Sequence, residues 1–258
     1  TEFVQQKWST KEMHRLMVLS NTYQTASEGE PEKLSPTGQG KDPGNNLFWR
    51  YNRRRIEAEA VRDAMLNVTG SFNPKAEGPA VLVPVQPVLV NQLYKPKQWA
   101  VTADPSEHHR RTIYLIAKRN LRLPFMEAFD APDLQNSCAR REQSTHALQS
   151  LELLNGDFSN AQARVLAGRL LKEKGWNPTA LVQRAFRLAT GREPTAQEEK
   201  IAARFLSRQS ALLRERLERK EEVPVPSWMP ETLDKASAAA LCDFSLAMFN
   251  LPGFLYLN

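Results

Sequence analysis

Four carboxylates in this chain stand in settings where acid and base chemistry could be done: Glu57 and Glu59 in RRRIEAEA, and Asp130 and Asp133 in FDAPD. Cleaving a glycosidic bond takes one carboxyl that gives a proton and a second that accepts one or attacks. Arg50 and Arg54 flank the first pair, and Arg110, Arg111 and Arg141 fall in the strings nearest the second. Guanidinium groups grip carboxylates in a fork, so these arginines could orient an anionic sugar or another ligand. The same arginines can instead lock the carboxylates into structural ion pairs, and the sequence favours that reading.

Other chemistries find less support. Asp104, Glu107, His108 and His109 are the candidate metal ligands, but adjacent histidines diverge on a helix or strand, so the group reads as a solvated loop end and no metal is expected. His14 lies on an apolar and basic helix and reads as structural. Ser144 and His146 lack the strand-turn-helix signature of a hydrolase nucleophile, and no glycine-rich phosphate cradle occurs. Cys138 and Cys242 are the two cysteines. They exclude a disulfide framework and a haem-attachment motif within the chain, and read as free thiols or one long-range bridge.

The elements that must position these groups read as mainly α, in one domain over residues 1–258. The 258 residues, 41% hydrophobic and 25% charged, suffice for a buried core, and no long uncharged apolar run offers a membrane span. The chain opens on Thr1, as a processed or excised piece would, so a missing leader says nothing of compartment. Net charge of +6 invites nucleic acid as a partner. The interleaving of Arg214, Arg216, Arg219 and Lys220 with Glu215, Glu218, Glu221 and Glu222 points instead to helix-surface pairs.

Ser9 with Glu12 predicts a capped helix from about Thr10 to Thr25. Residues 27–46, rich in glycine and proline, read as a mobile loop ending in the turn signal DPGNN. The strongest helical period follows. Leu47, Tyr51, Arg54, Ala58, Val61, Met65 and Val68 fall on one stripe. Arg54, interrupting it, should be buried and paired with a carboxylate. Residues 70–102 should be extended or an edge strand because Pro84 and Pro87 remove ladder donors, while RRTIYLIAKRN could be strand or helix, so extended structure is placed near residues 80–120. A helix should end at Asn155 and Gly156. Asn177 with Pro178, Thr195 with Glu198, and the apolar run ASAAALCDFSLAMFN predict three more, the Pro-rich segment 223–230 linking the last two.

Six strings in order, KEMHRLMVLSNTY, DPGNNLFWRYNRRRIEAEAVRDAML, RRTIYLIAKRN, FDAPD, RREQSTHALQSLELLNG and RLATGREPTAQE, closely resemble the planctomycete-type domain-of-unknown-function family numbered fifteen fifty-three. The resemblance runs from about Lys7 to the end. The family's recurrent pattern falls, among other positions, on Arg50, Arg54, Glu57, Glu59, Arg62, Asp63, Arg110, Arg111, Tyr114, Asp130, Asp133, Arg141 and Gln149. Two departures are His146-Ala147 in place of a threonine-proline pair, and Pro252-Gly253-Phe254 in place of Asn-Glu-Phe. The resemblance implies the C-terminal module of a large exported protein, periplasmic or at the cell surface. Companion domains are then its partners, and any c-type haem sits in one of them, with no cofactor in this chain. The expected function is a binding or scaffolding module with Arg50, Arg54, Arg110, Arg111, Tyr114 and Arg141 as ligand-binding residues. The alternative is a carbohydrate-active enzyme working on extracellular glycans through Glu57, Glu59, Asp130 and Asp133, with nucleic-acid binding a distant third.

Overall fold

The computed structural model describes residues 1–27 and 41–257. The protein is mainly α. Among the described residues the sheet is a single antiparallel pair, β1 (Arg54–Arg55) with β2 (Tyr256–Leu257). The chain forms two compact units, Thr1–Arg55 with Tyr256–Asn258, and Ile56–Leu255.

In the first unit three short helices follow one another, α1 (Glu2–Gln5), α2 (Thr10–Val18) and α3 (Asn21–Gln24). The Ser9 hydroxyl caps α2 by accepting from the Glu12 amide at 3.3 Å, as the pattern predicts. The expected continuous run to Thr25 is broken at Ser20, whose hydroxyl donates to the Met17 carbonyl and accepts from the Tyr23 amide. A serine side chain bonding nearby backbone in this way competes with the helix ladder.

The predicted helix over Leu47–Val68 needs correction, because its first half does not form. Asn45 donates from Nδ2 to the Arg50 carbonyl at 2.7 Å and accepts from the Arg50 amide at 3.1 Å, while Asp42 accepts from the Leu47 amide at 2.7 Å. These bonds consume the backbone groups that a first helical turn would use, and Phe48 takes a positive φ of 54°. Arg54 is therefore exposed on β1 opposite Leu257, not buried, and holds no carboxylate among the described residues. With no apolar stripe upstream of Ala58, there is no core for it to interrupt. Of the loop expected at 27–46, residues 28–40 lie outside the described residues. Its end is knitted tightly, with Asp42 and Asn45 buried.

The second unit opens with α4 (Ala58–Thr69), which keeps Val61, Met65 and Leu66 fully buried. Gly70 closes α4 in the left-handed region at φ 77°, and Arg169 caps the freed carbonyl of Val68 at 2.7 Å. The chain then runs irregularly through 71–123. Isolated bridges join Asn73 to Arg110 and Val81 to Leu115, so extended chain does occupy the expected region. Pro87, expected in extended chain, instead opens the short helix α5 (Pro87–Asn91), where its missing N–H costs nothing. RRTIYLIAKRN holds a 3-10 turn over Thr112–Tyr114, neither strand nor α-helix.

Helices α6 (Pro124–Ala128), α7 (Ala147–Asn155), α8 (Asp157–Lys174), α9 (Pro178–Thr190), α10 (Ala196–Glu218), α11 (Lys235–Phe249) and α12 (Pro252–Leu255) complete the unit. Asn177 caps α9, Gly191 ends it, and Thr195 with Glu198 forms a reciprocal capping box on α10. Helix α11, apolar on most faces, is central and packs most extensively on α10 and α8. The Pro-rich segment lies across α8 at Gly168, where any Cβ would come within 2.5 Å of Ser227 Oγ and 3.0 Å of the Trp228 amide nitrogen. Glycine there is what lets the strap dock. No helix among the described residues is long and apolar enough to cross a membrane.

Candidate functional site

The carboxylates singled out by sequence go to three separate places. Glu59 takes a bidentate grip from Arg141 at 2.6 and 2.9 Å, and Glu57 lies 3.3 Å from the same guanidinium. Asp130, at a positive φ of 62°, accepts from the Ser144 amide at 2.8 Å and the Ser144 hydroxyl at 2.6 Å. Asp133 is exposed and closes its own turn by accepting from the Gln135 and Asn136 amides, which lower its pKa. A recess of about 120 Å³ is bordered by Glu59, Lys118 and Arg122 together with Ala131 and Pro132 of FDAPD.

The arginines also separate. Arg110 is completely buried and ties down the loop before Val81, donating to the carbonyls of Lys75 and Glu77 and to Glu107 at 3.0 Å. Its guanidinium lies 4.0 Å from the centre of the Tyr114 ring, whose hydroxyl accepts from the Glu77 amide. Arg111 is largely exposed and stays 3.9 Å from Asp63. In the first unit, Arg50 rests on Trp49 and shares with Arg54 a groove lined by Leu16, Met17, Tyr23, Phe48 and Tyr51.

A different set of groups converges inside the second unit. Arg62 on α4, His108 and His109 on the 3-10 turn Pro105–His109, Glu152 on α7, and Asp157 with Gln162 on α8 all line one cavity of about 350 Å³. Its walls are Val83, Val85, Leu89, Leu123, Phe125, Met126 and Phe158. His108 and His109, expected in solvent, are half-buried, and His108 is anchored through Nε2 to the Thr102 carbonyl at 2.8 Å.

Arg62 is 5% exposed. It donates to the carbonyls of Arg110 at 3.1 Å and His108 at 2.5 Å and to the Thr112 hydroxyl at 3.1 Å, and lies 5.0 Å over the Phe158 ring. Its neighbour Asp63 is 3.9 Å away and accepts from both the amide and the hydroxyl of Thr112. Burial with so little compensating charge pulls the guanidinium pKa down to about 10. Burial, then the Arg62 and His108 charges, lower the His109 pKa, so its imidazole is neutral at pH 7.

The acidic side of the cavity is built by an abrupt junction. Gly156 both ends α7 and begins α8, and a Cβ there would lie 2.5 Å from the Glu152 carbonyl and carboxyl oxygens. Glycine thus lets the Glu152 side chain fold back over the junction. Burial first, and the nearby Asp157 second, raise the Glu152 pKa. Asp157 is exposed, accepts from Gln86 at 3.3 Å, and occupies the first position of α8, where the helix dipole favours a negative charge.

The sign of the Glu152 effect is testable. A carboxyl whose folded pKa is raised binds its proton more tightly in the folded state, so stability falls as pH rises from the unfolded pKa through the folded one. Glu152→Gln removes a charge that the folded state disfavours. The variant should melt at a higher temperature than the parent at pH 7, and the gap should close toward pH 4; a lower melting temperature at pH 7 would contradict this account.

The sequence marks out His108 and His109 but not their burial, and it gives no site pattern to Glu152, which lies within the string RREQSTHALQSLELLNG, or to Asp157 just after it. The available signal was the Asn155-Gly156-Asp157 junction, too short for a linker between two apolar helices. Neither a curated protein nor a solved structure matches the chain. The model of the family described as PSD1, protein of unknown function (DUF1553), matches residues 1–206, a span that includes every group lining the cavity. The chain therefore belongs to the DUF1553 family, as its six strings predict.

Proposed function

We propose that the chain is a ligand-binding module and that the cavity of the second unit is where it binds a small organic molecule with a largely apolar body. One observation carries this: a concave site of about 350 Å³ is walled mainly by hydrophobic side chains and holds a few convergent polar groups. That combination is the ordinary signature of a small-molecule site. The resemblance to modules of large exported proteins supports a setting outside the cytoplasm, with companion domains as partners and any haem held by one of them. The carbohydrate-enzyme reading draws less support, since Glu57 and Glu59 share Arg141 while Asp130 and Asp133 are held by local bonds. Nucleic-acid binding draws less still, because many surface arginines are paired, as in Arg192 with Glu198 and Arg216 with Glu221.

A thermal-shift screen of small molecules and short glycans tests the proposal, because a ligand bound only by the folded state raises its melting temperature by mass action. Compounds with apolar bodies should give the positive shifts, and Ala161→Trp, a bulky change at an exposed lining position, should abolish them while leaving the unliganded melting temperature near that of the parent. Shifts confined to glycans, or shifts unaffected by Ala161→Trp, would contradict it.

A further inference from the structure

We propose that the ligand of this cavity is an amphipathic carboxylic acid, with its anionic head beside Arg62 and His109 and its hydrocarbon body against Val85, Leu89, Leu123 and Met126. The proposal rests on the cavity being a binding site and goes further by naming the chemistry of the ligand.

The argument begins with the charge on Arg62. All three of its described hydrogen bonds go to neutral oxygens, two carbonyls and a hydroxyl. The nearest carboxylate, Asp63, stands beyond hydrogen-bond distance at 3.9 Å, and its Oδ1 is occupied by Thr112. A buried cation bonded to dipoles alone is an under-compensated charge, and in a medium of low polarity its attraction for an incoming anion is stronger than that of a solvated lysine or arginine. The guanidinium is also oriented, by its carbonyl partners on one side and the Phe158 ring on the other. A planar, fixed guanidinium matches a carboxylate better than a diffuse anion.

His109 supplies the second polar contact. Its ring has no hydrogen-bond partner among the described residues, and a neutral imidazole can donate to a carboxylate oxygen without adding a buried charge. The opposing groups do not cancel this preference. Asp157 is exposed and already stabilised by Gln86 and the start of α8, so water screens it. Burial and the nearby Asp157 raise the Glu152 pKa, so its carboxyl takes up a proton more readily than a free one when an anion approaches. A ligand with an ammonium head would face the reverse arrangement, its charge near the screened acids and its body near a buried cation.

Isothermal titration of the full chain at pH 7 with four compounds of one shape separates the possibilities: 3-phenylpropionate, 3-phenylpropanamide, 3-phenylpropan-1-ol and 3-phenylpropylamine. The acid should bind at least tenfold tighter than the amide and the alcohol. Ala161→Trp should abolish binding of the acid, and Arg62→Lys, which keeps the charge and loses the fork, should weaken it severalfold. The affinity ranking is measured on the unaltered chain, so a poorly folding Arg62 variant leaves the test intact. Equal or tighter binding of the amide or alcohol would overturn the carboxylate assignment while the cavity remained a binding site. Tightest binding of the amine would overturn it in favour of the acidic wall. No binding by any of the four would remove the cavity reading and this inference together.

Discussion

Arg110→Met should lower the free energy of unfolding by about 3–5 kcal/mol, the range for removing one partner from a buried charged network. The side chain is completely buried, and its guanidinium ties the carbonyls of Lys75 and Glu77, the Glu107 carboxylate and the Tyr114 ring into one node. Methionine fills much of the same volume and satisfies none of these groups, so two carbonyls and the Glu107 carboxylate lose a donor. Arg111→Met is the internal control, since that side chain is 61% exposed and lies 3.9 Å from Asp63. Surface pairs of this kind contribute about 0–1 kcal/mol. Urea melts of the two variants should separate clearly; equal midpoints would show that the Arg110 node does not hold the fold.

The two aspartates of FDAPD should differ in the same way. Asp130→Ala should cost about 2–3 kcal/mol, because hydrogen bonds to a charged acceptor are among the stronger ones and the Ser144 amide and hydroxyl are left without it. Alanine also tolerates the positive φ of 62° at this position poorly. Asp133→Asn should leave the unfolding midpoint where it is, since asparagine closes the same turn from an exposed position. A midpoint lost at Asp133 and kept at Asp130 would reverse the roles assigned to them.

Where the sequence was legible, local chemistry decided the structure. Thr195 and Glu198 form their reciprocal box, Asn177 and Gly191 bracket α9, and the apolar run of α11 sits at the centre of the second unit. Each of those outcomes depends on residues within a few positions of one another. The stripe from Leu47 to Val68 failed in its first half for an equally local reason that periodicity does not weigh. Asn45 and Asp42 bind the backbone of residues 47 and 50 and preclude the first turn, so the helix waits until Ala58. The RRTIYLIAKRN segment shows the limit of reading short apolar runs, since bridges from Arg110 to Asn73 and from Leu115 to Val81 set its shape.

The candidate site was less legible than the fold. Arg62, His109, Glu152 and Asp157 are drawn from three distant stretches, and only the packing of α4, α7, α8 and the turn before Arg110 brings them to one cavity. The carboxylates that sequence reasoning preferred stand out because arginines surround them. In the structure Arg141 satisfies Glu59 and Arg110 satisfies the Glu77 carbonyl, while Arg54 and Arg111 lie exposed. Arg62 differs in being buried at a cavity wall with its nearest carboxylate out of hydrogen-bond range. The arginines conspicuous in sequence divide between paired nodes, as at Arg110 and Arg141, and exposed surface, as at Arg54 and Arg111.

Methyl-labelled NMR of the full chain titrated with 3-phenylpropionate is the most direct measurement of the central claim. The account predicts saturable shifts at Val83, Val85, Leu89, Leu123 and Met126, the methyl groups of the cavity wall. Shifts confined to exposed methyls such as Leu148, Leu151 and Leu212, or no saturable shift at all, would contradict it.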